Sequence, residues 1–159
     1  MRIGVFDSGI GGEAVAERLR REFPHADIMS VSDRKHVPYG SRPADEIVRL
    51  TEAAITPLLK SACDVIVIAC NTATAVAIGT LRRRHPAQPF IGLEPMLKPA
   101  AALTKSGTIA VFATPATLAS PRYLKAKAEY AAVVRVIEAD TSDWAAMIED
   151  GAVERQRID

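Results

Sequence analysis

Short apolar runs alternate with longer amphipathic stretches along this chain, and that alternation sets the reading of its fold. Residues 2–6, 27–31, 64–68, 89–93, 108–112 and 132–137 have the length and apolar content of strands. Between them, apolar positions at helical spacing predict helices over 12–22, 44–60, 72–84 and 118–129. A last helix, 142–150, is expected to start from Thr141 or Ser142 as its cap and to stop at Gly151. Strand and helix in turn imply an α/β protein with an open, mainly parallel sheet flanked by helices. Val65-Ile66-Val67-Ile68 is apolar without interruption, as a strand covered on both faces requires. The two prolines in Glu94-Pro95-Met96-Leu97-Lys98-Pro99 mark a boundary, giving an α/β domain over 1–95 and part of a second over 96–159. Residues 151–159 are mostly polar and complete no further strand.

Chemically able residues gather just after the expected strands: Asp7 and Ser8, Asp33, Cys70 to Thr72, Glu94, and Thr114. Open parallel sheets bind ligands beyond the carboxyl ends of their strands, so topology alone brings these positions to one edge.

Composition narrows the function. Hydrophobic residues make up 48% of the 159 and charged residues 25%, which suits a chain that buries a core. Twenty Lys and Arg stand against 19 Asp and Glu, with Arg82-Arg83-Arg84 the one basic cluster, at an expected helix end. Such a balance argues against a nucleic-acid or membrane surface. Two cysteines, Cys63 and Cys70, are too few for a disulfide framework and fit no zinc module. With no secretory or membrane-spanning pattern, a reducing, cytoplasmic setting is expected. His25, His36 and His85 read as surface residues.

Four segments carry candidate chemistry. Asp7-Ser8-Gly9-Ile10-Gly11-Gly12 follows a strand and opens a helix; it suits either an anion at backbone N–H groups or an ordinary turn capped by Asp7 or Ser8. It is neither a Walker A loop nor a dinucleotide fingerprint. Ala69-Cys70-Asn71-Thr72 puts a thiol at a strand end, where the positive end of the next helix should lower its pKa and favour a base or nucleophile. A small buried apolar residue is the competing explanation, and Cys63 is read that way. Pro38-Tyr39-Gly40-Ser41 is a rigid loop able to present amides and hydroxyls, and Thr114 reads adequately as a helix cap.

In their order, these segments resemble the glutamate racemases, within the wider aspartate/glutamate racemase group. The resemblance rests on Val5 to Gly12, Asp33 with Val37-Pro38-Tyr39-Gly40, Ala69 to Thr74, Gly92 with Glu94-Pro95 and Leu97 to Ala100, and Thr114 and Thr117 before Ser120. It implies interconversion of L- and D-glutamate for peptidoglycan precursors, without a cofactor, by two cysteines on opposite faces of Cα. By position it makes Cys70 the base facing the D enantiomer and Asp7 its carboxylate partner. Ser8, Pro38, Tyr39, Gly40, Asn71, Thr72, Thr114 and Thr117 would hold the substrate, with Asp33 and Glu149 as supporting acids. No pyridoxal-binding lysine motif is apparent, which agrees with that route.

The family's Gly-Cys-Thr-His-like segment, with the second cysteine, does not occur in the sequence. The resemblance therefore implies a chain that stops inside the second domain and leaves part of the first sheet uncovered, a face open to homodimer formation. Glu13 replaces an apolar residue of the family, and Ala139 to Trp144 lacks its Ala-Cys-Pro run. Two other readings stay open: a degenerate homologue acting as a binding or interaction protein, and a relative acting on aspartate, a hydantoin or maleate.

Overall fold

The computed structural model describes residues 1–151. β1 (Arg2–Asp7), α1 (Gly11–Glu22), β2 (Asp27–Ser32), α2 (Ala44–Lys60), β3 (Val65–Ile68), α3 (Asn71–Arg84) and β4 (Phe90–Gly92) follow in order and build a four-stranded sheet. All its pairings are parallel, in the order β2-β1-β3-β4. Phe6 pairs with Val31 on one side and Ile68 on the other, so the segments carrying Asp7 and Cys70 leave the sheet level with each other.

The period of two along each strand sorts its side chains to opposite faces. Ile66 and Ile68 join Phe6, Phe90, Ile47, Ile55 and others beneath α2 and α3, while Val67 packs with Ile3, Val5 and Ala16 beneath α1. Both faces of β3 are thus used, as its unbroken apolar run requires. α2 supplies Ile47, Leu50, Ile55 and Leu58 from one buried stripe, with Asp45 and Glu46 at its positive end and Lys60 at its negative end. On β4, Phe90 is buried, but Ile91 faces the α1 side beyond the reach of α1 and is 54% exposed. None of the described residues covers that part of the sheet.

Beyond β4 come α4 (Leu97–Leu103), β5 (Thr108–Val111), α5 (Pro115–Leu118), α6 (Pro121–Tyr130), β6 (Arg135–Glu138) and α7 (Trp144–Glu149). β5 and β6 pair in parallel as a separate sheet, over a small core of Leu97, Ile109, Val111, Tyr123 and Ala131.

Several local expectations are corrected. The helix expected over 118–129 is two: Ser120 caps α6, its Oγ accepting from the Tyr123 N–H at 3.1 Å, and Pro121 sets the new first turn. α4 was hidden by Pro95 just before it and Pro99 within it, yet Pro99 falls in the first turn, where a missing N–H loses no helical bond. Neither Thr141 nor Ser142 caps α7. Thr141 Oγ1 donates instead to the Ala113 carbonyl at 2.8 Å, and Ser142 Oγ to Asp140 Oδ1 at 2.8 Å. The strand expected from 132 starts at Arg135. Apart from Gly151, the polar 151–159 segment lies outside the described residues. His25 is exposed, but His36 and His85 are half-buried, His36 on Asp33 and His85 with Nε2 3.5 Å from Glu52.

The turn from α2 into β3 holds a strained position. Ala62 has φ +50°, a left-handed conformation that a Cβ opposes and glycine adopts freely. Ala62→Gly should raise stability by about 0.5–1 kcal/mol, the strain relief outweighing the added freedom of the unfolded chain. Urea unfolding of both proteins checks this.

Candidate active site

Three connections at the C-terminal end of the first sheet enclose a cavity of about 370 Å³. β1 delivers Asp7 and Ser8, the β2–α2 loop delivers Pro38, Tyr39 and Gly40, and the start of α3 delivers Cys70, Asn71 and Thr72. Thr114, between β5 and α5, and Glu149, from α7, close it from the second unit.

Cys70 is the N-cap of α3 and is only 7% exposed. Its Sγ accepts from the Ala73 N–H at 3.4 Å and lies 3.3 Å from Ser8 Oγ. These bonds favour a thiolate, as the helix argument anticipated. Burial outweighs them, however, and the Asp7 charge adds to it, so the Cys70 thiol is pushed up rather than down. The expected lowering is thus corrected: the position is right for a helix N-terminus, but the same packing removes water from the sulfur.

Asp7 is held from both sides. Its Oδ1 accepts from the Gly9 N–H at 2.7 Å, and Gly12 approaches so closely that a Cβ there would sit 2.5 Å from the Asp7 Cβ. Burial first, and then the charge of Glu149, raises its carboxyl, against the lowering from the Gly9 N–H. Neither Asp7 nor Ser8 caps α1; the N-cap is Ile10, without a side-chain bond.

Tyr39 is 1% exposed, and its hydroxyl donates to Asp33 Oδ2 at 2.7 Å. Burial and that acid together push the phenol far up, so the phenol oxygen keeps its proton and donates it to Asp33. Asp33 in turn bonds His36 Nδ1 at 2.8 and 2.9 Å. It therefore stands behind the wall, not in the cavity. Glu94 lies elsewhere altogether, paired with Arg122.

The two units meet through hydroxyls. Thr72 Oγ1 and Thr114 Oγ1 are 2.8 Å apart, Thr114 and Thr117 3.0 Å, and the fully buried Thr117 closes the triangle to Thr72 at 3.5 Å. Thr114 also caps α5, as expected. The Gly40 carbonyl accepts from the Ala116 N–H at 3.1 Å, with Thr114 against its Cα. Thr117 thus backs Thr72 and Thr114 without lining the cavity. Ile10 and Gly11, from the segment read as an anion site or a turn, also line it, as do Ala145 and Ile148, to which the sequence reading assigned no role. Ala145 and Ile148 share the face of Glu149 by helical spacing, a signal available beforehand.

Among the described residues the cavity lining holds two carboxylates, a thiol and a phenol, with no Lys, Arg or His. Anionic groups of a ligand would meet neutral donors there, and a cation would meet Asp7 and Glu149. No group of three or more His, Cys, Asp and Glu able to hold a metal occurs among the described residues, where no helix is long and apolar enough to cross a membrane.

A sequence profile described as Asp/Glu/Hydantoin racemase matches residues 12–158. A glutamate racemase of Roseiflexus sp. (strain RS-1) is 43% identical over 152 residues, which cover 96% of this chain and 56% of that protein. One of Ectopseudomonas mendocina is 41% identical over 152 residues, covering 96% and 58%. Among solved structures, Escherichia coli glutamate racemase with L-glutamate and the activator UDP-MurNAc-ala superposes at TM-score 0.86 and 27% identity, covering 99% of this chain and 59% of that one. The Francisella tularensis glutamate racemase with D-glutamate gives 0.80 at 31% identity, covering 96% and 57%. The chain therefore spans little more than half the length of the relatives it matches.

Asp7→Asn removes the charge that helps hold the Cys70 proton. In a Cys63→Ser background, alkylation of Cys70 by iodoacetamide should then reach half its limiting rate at a lower pH than with Asp7 present. A series of rates against pH measures the shift.

Proposed function

The chain belongs to the Asp/Glu/Hydantoin racemase family, and from that premise we propose that it is built for cofactor-independent proton transfer at the Cα of glutamate. The observation that carries the reading is a buried thiol, Cys70, facing a half-open cavity of mixed polar and apolar lining beside Asp7. The ligand's α-ammonium goes to the acidic side, where it offsets the burial and the Asp7 charge that hold the thiol's proton. Its carboxylates go to neutral donors: the hydroxyls of Ser8, Thr72 and Thr114 and the amide of Asn71. Pro38, Tyr39 and Gly40 form the wall, and Thr117 and Asp33 fix Thr114 and Tyr39 from behind.

As the ammonium binds, the Cys70 thiol releases its proton to solvent, and the resulting thiolate takes the α-proton of D-glutamate. The Cα–H bond breaks, an S–H bond forms, and the electron pair is delocalised onto the carboxylate held by those donors. Reprotonation by the same thiol returns the D enantiomer; inversion requires a second acid on the opposite face. In the complete reaction D-glutamate is supplied for peptidoglycan precursors in the cytoplasm.

The second reading, a degenerate homologue that binds without catalysing, draws on exposed apolar residues such as Ile91 and Phe112, 54% and 58% exposed. One experiment separates the two. Proton NMR in deuterated buffer should show the α-proton of D-glutamate exchanging without inversion, L-glutamate unchanged, and no exchange in Cys70→Ser. Exchange that survives Cys70→Ser would contradict the role of this thiol. Exchange and inversion of both enantiomers would reveal another acid–base group. Binding without any exchange would favour the degenerate homologue.

A further inference from the structure

α7 is attached differently from the other elements around the cavity. None of its six residues is buried, yet Ala145, Ile148 and Glu149 line the cavity wall. Its start is anchored: Trp144 stacks on Phe112, with ring centroids 5.4 Å apart and planes at 16°, and the Trp144 N–H donates to the Thr141 carbonyl at 3.1 Å. Its far end reaches the first unit through Glu149 Oε1, which accepts from the Ile10 N–H at 2.9 Å. The Glu149 carboxylate covers Gly9 so closely that a Cβ added there would fall on it.

This contact is opposed from within. Glu149 sits near enough to Asp7 for its charge to raise the Asp7 carboxyl. Two carboxylates thus face one cavity, and closing α7 brings them together.

We propose that α7 is a lid latched by Glu149, and that Glu149 makes its closure specific for ligands carrying an ammonium group beside their carboxylates. The inference rests on the amino-acid reading of the cavity. An ammonium between Asp7 and Glu149 turns their repulsion into attraction and holds the latch on Ile10. A dicarboxylate of the same length without the amine adds negative charge and weakens the latch seen on Ile10. Because a ligand shifts such an equilibrium only by its differential affinity for the two states, the amine is what closes the site. Trp144, the only tryptophan of the chain, stays on Phe112 as the hinge.

Hydrogen exchange of the peptide spanning residues 143–151, with binding followed by calorimetry, tests this. D-glutamate should slow exchange of the α7 amides by about tenfold, and glutarate should not. Glu149→Gln keeps an oxygen for the Ile10 N–H but removes the charge; it should bind D-glutamate more weakly and lose the protection. Gly9→Ala leaves every charge in place and displaces only the flexible end of Glu149, and it too should lose the protection. D-glutamate binding with no slowing in the unaltered protein would overturn the lid while leaving the proposed function standing. Equal slowing by glutarate, or full slowing in Glu149→Gln, would overturn the role of the ammonium. Absence of D-glutamate binding altogether would overturn the proposed function with it.

Discussion

The sulfur of Cys70 is placed where two opposing demands meet. As the N-cap of α3 it takes a backbone N–H that the helix cannot satisfy internally. As part of the core beneath α3 it is cut off from water. The first demand favours a thiolate and the second a thiol, and burial prevails while the cavity holds no compensating charge. A group that is neutral when alone and ionises beside a cation is suited to a proton transfer that should begin only after an amine arrives. Serine at this position would keep the cap and lose the acid–base chemistry.

The other features of the site keep that sulfur in register. β1 and β3 pair so that Asp7 and Cys70 leave the sheet together, and Gly12 lets the start of α1 close over Asp7. The wall opposite is fixed from outside, Tyr39 tied to Asp33 and Asp33 to His36. The second unit adds its share through the Thr72–Thr114–Thr117 triangle, which uses hydroxyls where an apolar contact would leave nothing for a ligand carboxylate. Among the cavity walls, those from β1, the β2–α2 loop and α3 belong to the four-stranded sheet, whereas the wall from α7 is held at its start by Trp144 on Phe112.

Much of this was legible beforehand because periodicity and topology act together. The unbroken Val65–Ile68 run signalled a doubly covered strand, and residues after parallel strands had to share an edge, so Asp7, Ser8, Cys70 and Thr114 were brought to one cavity. What escaped depended on local rules overriding pattern. Two prolines concealed α4, though Pro99 is harmless in a first turn. Ser120 and Pro121 cut one amphipathic stretch into two helices. Glu94 follows its strand as expected but turns to Arg122 instead of the cavity. The direction of the Cys70 shift was missed because sequence reveals the helix that follows a cysteine but not how thoroughly the cysteine is covered.

Direct titration of the Cys70 thiolate is the measurement closest to the central claim. Its absorbance near 240 nm, taken as the difference between the unaltered protein and Cys70→Ser, would be followed against pH with and without D-glutamate. An inflection above the ordinary thiol value is expected in the free protein, with a downward displacement once the ligand's ammonium is bound. An inflection already below the ordinary value without ligand would mean that the helix terminus governs the sulfur. A ligand that binds but leaves the inflection unmoved would contradict the coupling of amine to thiol.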